Sequence, residues 1–285
     1  MRYTQLRAFH HVATEGGFSR AAKALGLSQP AISDQVRSLE ADYDVRLFDR
    51  GTRSVRLTGD GQRLLEITRR LFDAEGDARE LLSEQRTRRT GTLRIHADSP
   101  HHILQTLARF RAAHSHVSVK VRTGNSAGIV AALQAYEADI GILGEIPSGK
   151  AFDVVPLGAS PIVAFARLGG PLDGLEEIAL VRLLDLPLVL REEGSKTRAK
   201  LAEAAGGRLP QGIEAEGREA VREIVAAGGG VGIVSEAEYV DDPRLTRATI
   251  TSPRLSMEES VACLHERGES RLIRAFMAMA RHAAA

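Results

Sequence analysis

A chain of 285 residues that is 43% hydrophobic is long for one compact domain and comfortable for two or three, each with a real core. Its formal net charge of +1 excludes a polycation, so any nucleic-acid surface must be local. A single cysteine, Cys263, excludes an internal disulfide and a cysteine-cluster metal site and reads as a small buried hydrophobe.

Met1-Arg2-Tyr3-Thr4-Gln5 leads into an amphipathic helix with Leu6, Phe9, Val12 and Ala13 on one face, ending near Gly16-Gly17. No signal peptide is read there, and no apolar run reaches transmembrane length, so the expected location is the cytoplasm with no membrane partner. Two short helices joined by a tight turn follow. Ser19 is placed to cap the first, Ala21, Ala22 and Leu25 form its apolar stripe, and Gly26 ends it. Ser28 caps the second, with Pro30 in the first turn, where a missing N–H costs nothing. Ile32, Val36 and Leu39 face inward, leaving Ser33, Asp34, Gln35, Arg37 and Ser38 outward. An ordinary helical hairpin would explain the stripe but not the polar outer face behind Ser28-Gln29-Pro30. The pattern is a helix-turn-helix whose second helix can enter a DNA major groove, with Ser28, Gln29, Pro30, Ser33 and Arg37 as the reading residues.

Arg46-Leu47-Phe48 and Ser54-Val55-Arg56-Leu57 are strand-like runs that predict a hairpin wing. Arg46, Arg50, Arg53 and Arg56 make it basic. A solvated charged hairpin is the plain alternative, but beside a helix-turn-helix, Arg50 and Arg53 point to phosphate or minor-groove contact. Thr58 then caps a helix reaching to about residue 88. Leu64, Ile67, Leu71, Ala74, Ala78 and Leu81 alternate by three and four, the seam spacing of a coiled coil. Packing on the chain's own body would cover such a stripe; so would a second copy, with Leu64, Ile67, Leu71 and Ala78 at the seam.

Arg86-Thr87-Arg88-Arg89-Thr90-Gly91 reads as a hinge. Beyond it, strands (92–97, 117–122, 140–143) alternate with helices (about 101–114 and 126–136), which predicts a parallel α/β sheet. A second unit starts near Pro161 with strands 162–166, 187–190 and 231–234 and helices near 196–205 and 218–227. The strand at 261–264 and the helix at 272–279 return to the first unit. The expected domains are 1–57 (winged helix-turn-helix), 58–90 (linker helix) and 91–285. The last divides into lobe I (about 91–160 and 254–285) and lobe II (about 161–253), with a cleft between.

In open α/β lobes, ligands sit beyond the carboxyl ends of strands, where helix N-termini favour anions. Three segments qualify, contributing Asp98 and Ser99, Asn125 and Ser126, and Ser195, Thr197 and Arg198. Each hydroxyl taken alone could be a helix cap; three such segments on adjacent strand ends favour a site for a small effector. Asp98 among anion-binding groups calls for a ligand that also carries a cation, with an N-cap carboxylate as the plain alternative. Glu219 and Glu236 are further carboxylates of this kind, with Arg218 near them.

Other signals carry no chemistry. Gly228-Gly229-Gly230-Val231-Gly232 lacks the spacing and the lysine of a nucleotide loop. The pairs His10-His11 and His101-His102 diverge on a helix and do not share a metal. No nucleophile elbow is present. No enzyme activity, cofactor or metal is expected. The alternative class is a solute-binding or enzymatic α/β protein with an appended N-terminal domain.

The stretch Phe18-Ser19, Ala21-Ala22, Leu25, Ser28-Gln29-Pro30-Ala31, Ser33, Leu39-Glu40, Leu47-Phe48, Arg50, Leu57-Thr58 and Gly61 closely resembles the LysR-type transcriptional regulators. It departs from them at Asp42-Tyr43-Asp44, where the family usually has a glycine before the wing. The resemblance implies a winged helix-turn-helix, a dimerising linker helix and a two-lobed effector domain like periplasmic binding proteins. It implies double-stranded DNA, a small-molecule effector and copies of itself as partners, in a dimer and a tetramer. Ala97-Asp98-Ser99-Pro100, Gly124-Asn125-Ser126, Gly217-Arg218-Glu219-Ala220-Val221 and Val234-Ser235-Glu236-Ala237-Glu238 resemble, more loosely, a subgroup associated with 2-aminoethylphosphonate, which implies that effector.

Overall fold

The computed structural model describes residues 1–49, 55–82, 91–147 and 149–284. It falls into two compact units, 1–87 and 88–285. Arg50, Arg53 and most of the predicted hinge lie outside the described residues.

The first unit opens with α1 (Tyr3–Glu15), α2 (Phe18–Leu25) and α3 (Gln29–Asp42). Their cores meet at Phe9, Val12, Ala21, Ala22, Ile32, Val36 and Leu39, all buried. Gly16 and Gly26 end α1 and α2 with φ of 67° and 66°, in the left-handed region that glycine enters without a Cβ penalty. The Ser28 hydroxyl accepts from Ala31 N at 3.4 Å, the expected cap of α3. Ser19 does not cap α2. That helix begins one residue earlier, behind Gly17, and the Ser19 hydroxyl instead donates to Gln29 Oε1 at 2.9 Å. Asp44 takes φ 48°, so an aspartate supplies the left-handed turn at the predicted departure from the family pattern.

Among the described residues, the wing strands meet in an antiparallel bridge, Phe48 to Leu57. Glu40 of α3 anchors their base, accepting from Leu47 N at 2.8 Å and Phe48 N at 3.3 Å. Thr58 caps α4 (Gly59–Leu82), its hydroxyl accepting from Gly61 N at 3.1 Å. Gly61 is required by closeness: a Cβ there would lie 2.1 Å from the Leu47 carbonyl oxygen. Leu65 of α4 joins the core, whereas Ile67 and Leu71 stay 52% and 42% exposed and Ala78 is exposed.

The second unit runs β1 (Gly91–Ala97), α5 (Leu104–Ala113), β2 (Val117–Thr123), α6 (Ser126–Gln134), β3 (Ile140–Leu143), β4 (Phe152–Arg167), β5 (Glu177–Ala179), α7 (Leu180–Leu184), β6 (Leu188–Arg191), α8 (Lys196–Ala204), β7 (Ile213–Ala215), α9 (Arg218–Ala226), β8 (Val231–Ser235), β9 (Leu245–Thr251), β10 (Ser256–Leu264) and α10 (Arg271–Ala284). The strand order is β2-β1-β3-β10-β4-β8-β6-β7, with β9 also beside β4 and β5 beside β9. The sheet is mixed rather than wholly parallel. β1, β2 and β3 are parallel, but β10 runs against β3 and β4, and β4 runs against β8 and β9. Strand β4 joins two lobes: its first part pairs with β10, and residues 162–167 pair with β8 and β9. Each lobe has its own core, one around Ile95, Ile140, Val261 and Phe276, the other around Ala164, Leu188, Val231 and Ile250.

Buried Asp139 locks β1 to the start of β3. It accepts from Arg94 N and Nη2, each at 2.7 Å, and faces Arg267 Nη1 at 2.8 Å.

Candidate functional site

In the first unit, α3 presents its outer face to solvent. Ser28, Gln29, Pro30 and Arg37 are exposed, Ser33 is half-buried, and the apolar positions of the same helix point into the core. The Ser19 bond to Gln29 ties the α3 N-terminus to α2 and holds the Gln29 amide on the outer surface. Among the described residues Arg37 pairs with its helical neighbour Asp34, at 3.6 Å, with both side chains about 70% exposed, so its guanidinium is accessible to a phosphate.

In the second unit, β1 and β6 end and α6 and α9 begin around one cleft of about 880 Å³. Its charged lining comprises Asp98, Glu192, Glu216, Glu219 and Glu223 against Arg191 and Arg218. The two arginines converge on one carboxylate. Asp98 Oδ1 lies 3.2 Å from Arg218 Nη1 and 3.6 Å from Arg191 Nη1, and Arg218 also donates to the Asp98 backbone oxygen. Asp98 follows β1 in one lobe, whereas Arg191 and Arg218 belong to the other, so these pairs span the cleft. Ser126 supports Asp98 from below, donating to its Oδ2 at 3.2 Å and accepting from Gly144 N at 3.1 Å.

The arginines are shared with other acids. Arg191 donates to Glu192 at 2.7 and 2.6 Å, and Arg218 Nη2 lies 2.8 Å from Glu238 Oε2. Burial opposes the charge on Glu192, but the Arg191 bonds outweigh it and hold the carboxyl at about 2. Burial lifts the Asp98 carboxyl above its ordinary value, with Arg218 and Arg191 pulling the other way. Beneath the cleft, burial and the neighbouring Glu238 push Glu259 up to about 7.

Asp98, Ser99 and Asn125 line the cleft, and Ser126 sits under it. Ser195, Thr197 and Arg198 are not among the lining residues. Arg198 donates to the Arg191 carbonyl at 2.9 Å and to Glu214 at 2.5 Å, and Thr197 donates to Met257 Sδ at 3.4 Å. The Ser195 hydroxyl is buried and makes no hydrogen bond to a described residue. Asn125 caps α6 through Gly128 N at 2.9 Å. Glu219 lines the cleft, whereas Glu236 pairs with Arg247 at 2.9 Å. The convergence of Arg191 and Arg218 on Asp98 escaped the sequence reading. The available signal was their position, at a strand end and a helix start already marked as ligand-facing.

The sequence signature described as the LysR substrate binding domain matches residues 86–285, and that of the bacterial regulatory helix-turn-helix protein, lysR family, matches residues 3–62. The chain belongs to the LysR family. It is therefore a DNA-binding transcriptional regulator with an effector-binding domain and not an enzyme. This LysR regulator is 31% identical over 236 residues to the RuBisCO operon transcriptional regulator of Allochromatium vinosum, covering 81% of this chain and 78% of that one. Its fold is similar to that of a full-length OxyR variant from Pseudomonas aeruginosa, with a TM-score of 0.77 at 22% identity, covering 99% of this chain and 95% of that one. It is also similar to full-length CbnR complexed with its target DNA, with a TM-score of 0.68 at 22% identity, covering 99% and 100%. Among the described residues of this LysR regulator, no helix is long and apolar enough to cross a membrane.

Proposed function

We propose that this regulator is switched by a small zwitterion with an oxyanion head, 2-aminoethylphosphonate being the effector, bound in the Asp98–Arg191–Arg218 cleft. The observation that carries this reading is the convergence of two guanidiniums in a cleft whose remaining charges are acidic. A phosphonate can take both guanidiniums and the N-terminus of α9, which no side chain caps, with Ser99 as a further donor. The amine then goes to Asp98, released from its arginines, with Glu219 beside it. A lone anion would find five carboxylates in the lining and only two cations. Replacing the ion pairs that span the cleft alters the relation between the lobes, which is the switch.

In the first unit, α3 reads DNA through Gln29, Ser33 and Arg37, with Ser28 and Pro30 setting the helix start and Arg50 and Arg53 contacting the backbone. The exposed Ile67, Leu71 and Ala78 of α4, with Leu64, form the seam of a dimer, and dimers pair into a tetramer. The functional division is 1–57 for DNA, 58–90 for assembly and 91–285 for the effector, in a cytoplasmic protein.

Calorimetry on the full chain tests the effector. 2-Aminoethylphosphonate should bind the wild type, and ethylphosphonate, which lacks the amine, should bind more weakly. Arg218→Ala should lose both ligands, whereas Asp98→Asn should weaken only the amine-bearing one. A wild type that binds neither removes the ligand assignment.

A further inference from the structure

Beneath the cleft, three side chains far apart in sequence meet: His102 from the turn Pro100–Ile103, Glu238 from the turn Glu236–Glu238 after β8, and Glu259 from β10. Glu259 pairs with Gly158 beside a register shift whose extra residue, Leu157, lies on β4. We infer that His102, Glu238 and Glu259 form a binding site for one divalent transition-metal ion. The inference does not depend on which effector occupies the cleft.

Spacing is the first argument. His102 Nε2 lies 3.4 Å from Glu238 Oε1 and 3.5 Å from Glu259 Oε1, and one ligand atom from each residue lies within 4.8 Å of the others. Those separations are long for hydrogen bonds. The two His102 separations fit neighbouring ligands around a tetrahedral ion, since bonds of about 2.0–2.2 Å place such atoms about 3.3–3.6 Å apart.

Unmet hydrogen bonding is the second, although Glu238 also lies close to Ser99. Among the described residues, His102 Nε2, Glu238 Oε1 and Glu259 Oε1 are buried and make no hydrogen bond of good geometry, and Glu238 and Glu259 are only 6% and 4% exposed. Buried polar atoms are nearly always bonded, so three orphans facing one point indicate a missing partner. The other oxygen of Glu238 is held by Arg218 at 2.8 Å, the outer-shell contact that orients a metal-bound carboxylate.

Charge is the third. Asp98, Glu192, Glu238 and Glu259 form one connected network with Arg191 and Arg218, four carboxylates against two guanidiniums. In the metal-bound state His102 is neutral, as a ligand must be, and one divalent cation balances the group, replacing the proton that Glu238 and Glu259 otherwise favour on the ring. One imidazole and two carboxylates with room for water suit zinc and its neighbours, whereas calcium takes 6–8 oxygens.

The test uses the full chain, stripped with a chelator and titrated with Zn2+ alone. One ion should bind per chain and raise Tm. His102→Ala and Glu259→Gln should each weaken binding by at least the roughly 10–100-fold that loss of an outer-shell partner costs. His265→Ala, which removes the exposed His265–Asp153 pair, should leave binding unchanged. Equal Zn2+ uptake by wild type and His102→Ala overturns the inference, whether the cluster then holds a shared proton or the amine of a ligand. Should Glu259→Gln fail to fold, the visible spectrum of bound Co2+ decides. A four-coordinate band present in wild type and absent in His102→Ala supports the site, and identical spectra refute it.

Discussion

Arg218 is the side chain whose removal asks most of the cleft. It faces Asp98 at 3.2 Å and Glu238 at 2.8 Å, and those side chains are only 2% and 1% exposed. Arg218→Ala strands two buried carboxylates, and breaking one buried pair costs about 3–5 kcal/mol, because the remaining charge is uncompensated. Arg191, at 3.6 Å, still offsets Asp98, and His102, at 3.4 Å, still faces Glu238. The net loss is therefore placed at about 2–3 kcal/mol. Urea unfolding of the full chain should show a lower midpoint at unchanged slope, and the melting temperature of the effector unit should fall by about 5–10 °C. Adding Asp98→Asn should restore part of the loss, since the charge that Arg218 compensated is then gone. A loss under about 0.5 kcal/mol, or strict additivity of the two substitutions, would refute the clamp.

Gln29→Ala should lower discrimination between specific and random duplexes by about 1–3 kcal/mol, read by fluorescence anisotropy; equal losses on both would misplace the reading helix. Leu71→Asp puts a charge on the exposed stripe of α4 and should dissociate the dimer in sedimentation; an intact dimer would remove the seam assignment. At Asp139, burial opposes ionisation but Arg94 and Arg267 outweigh it, so the folded carboxyl titrates below its ordinary 3.8. Its stabilisation is complete above 3.8 and is lost as pH falls through the lower folded value. Asp139→Asn should therefore cost about 3 kcal/mol at neutral pH, and the deficit should shrink in acid. Melting curves that differ equally at pH 7 and well below pH 3.8 would contradict the pairing.

The helices of the first unit were legible because their signals are local. Ser28 with Pro30 marks a helix start, Gly16 and Gly26 mark stops, and Ile32, Val36 and Leu39 keep helical period. Ser19 misled because a hydroxyl near a helix start serves equally well as a donor to another helix. In the second unit, the short apolar strand Ile140–Leu143 was readable as buried on both faces. The first half of β4 was not, since a unit boundary was read near Pro161 while pairing with β10 carries one strand through it. The mixed sheet follows from β4 and β10 running against their neighbours, a tertiary choice with no local signature. Strand ends led correctly to Asp98, Ser99 and Asn125 as lining residues of a cleft. They did not reveal that Glu214 draws Arg198 to itself, or that His102 meets Glu238 and Glu259. Both depend on which side chains long-range folding makes neighbours.

One measurement joins the two halves of the account: a footprint of the full chain on an operator obtained by selection from random duplexes, with 2-aminoethylphosphonate added in steps. The account predicts that the protected length changes and saturates in the wild type, and that Arg218→Ala binds the same operator without responding. A footprint that stays fixed at every effector concentration in the wild type would contradict it.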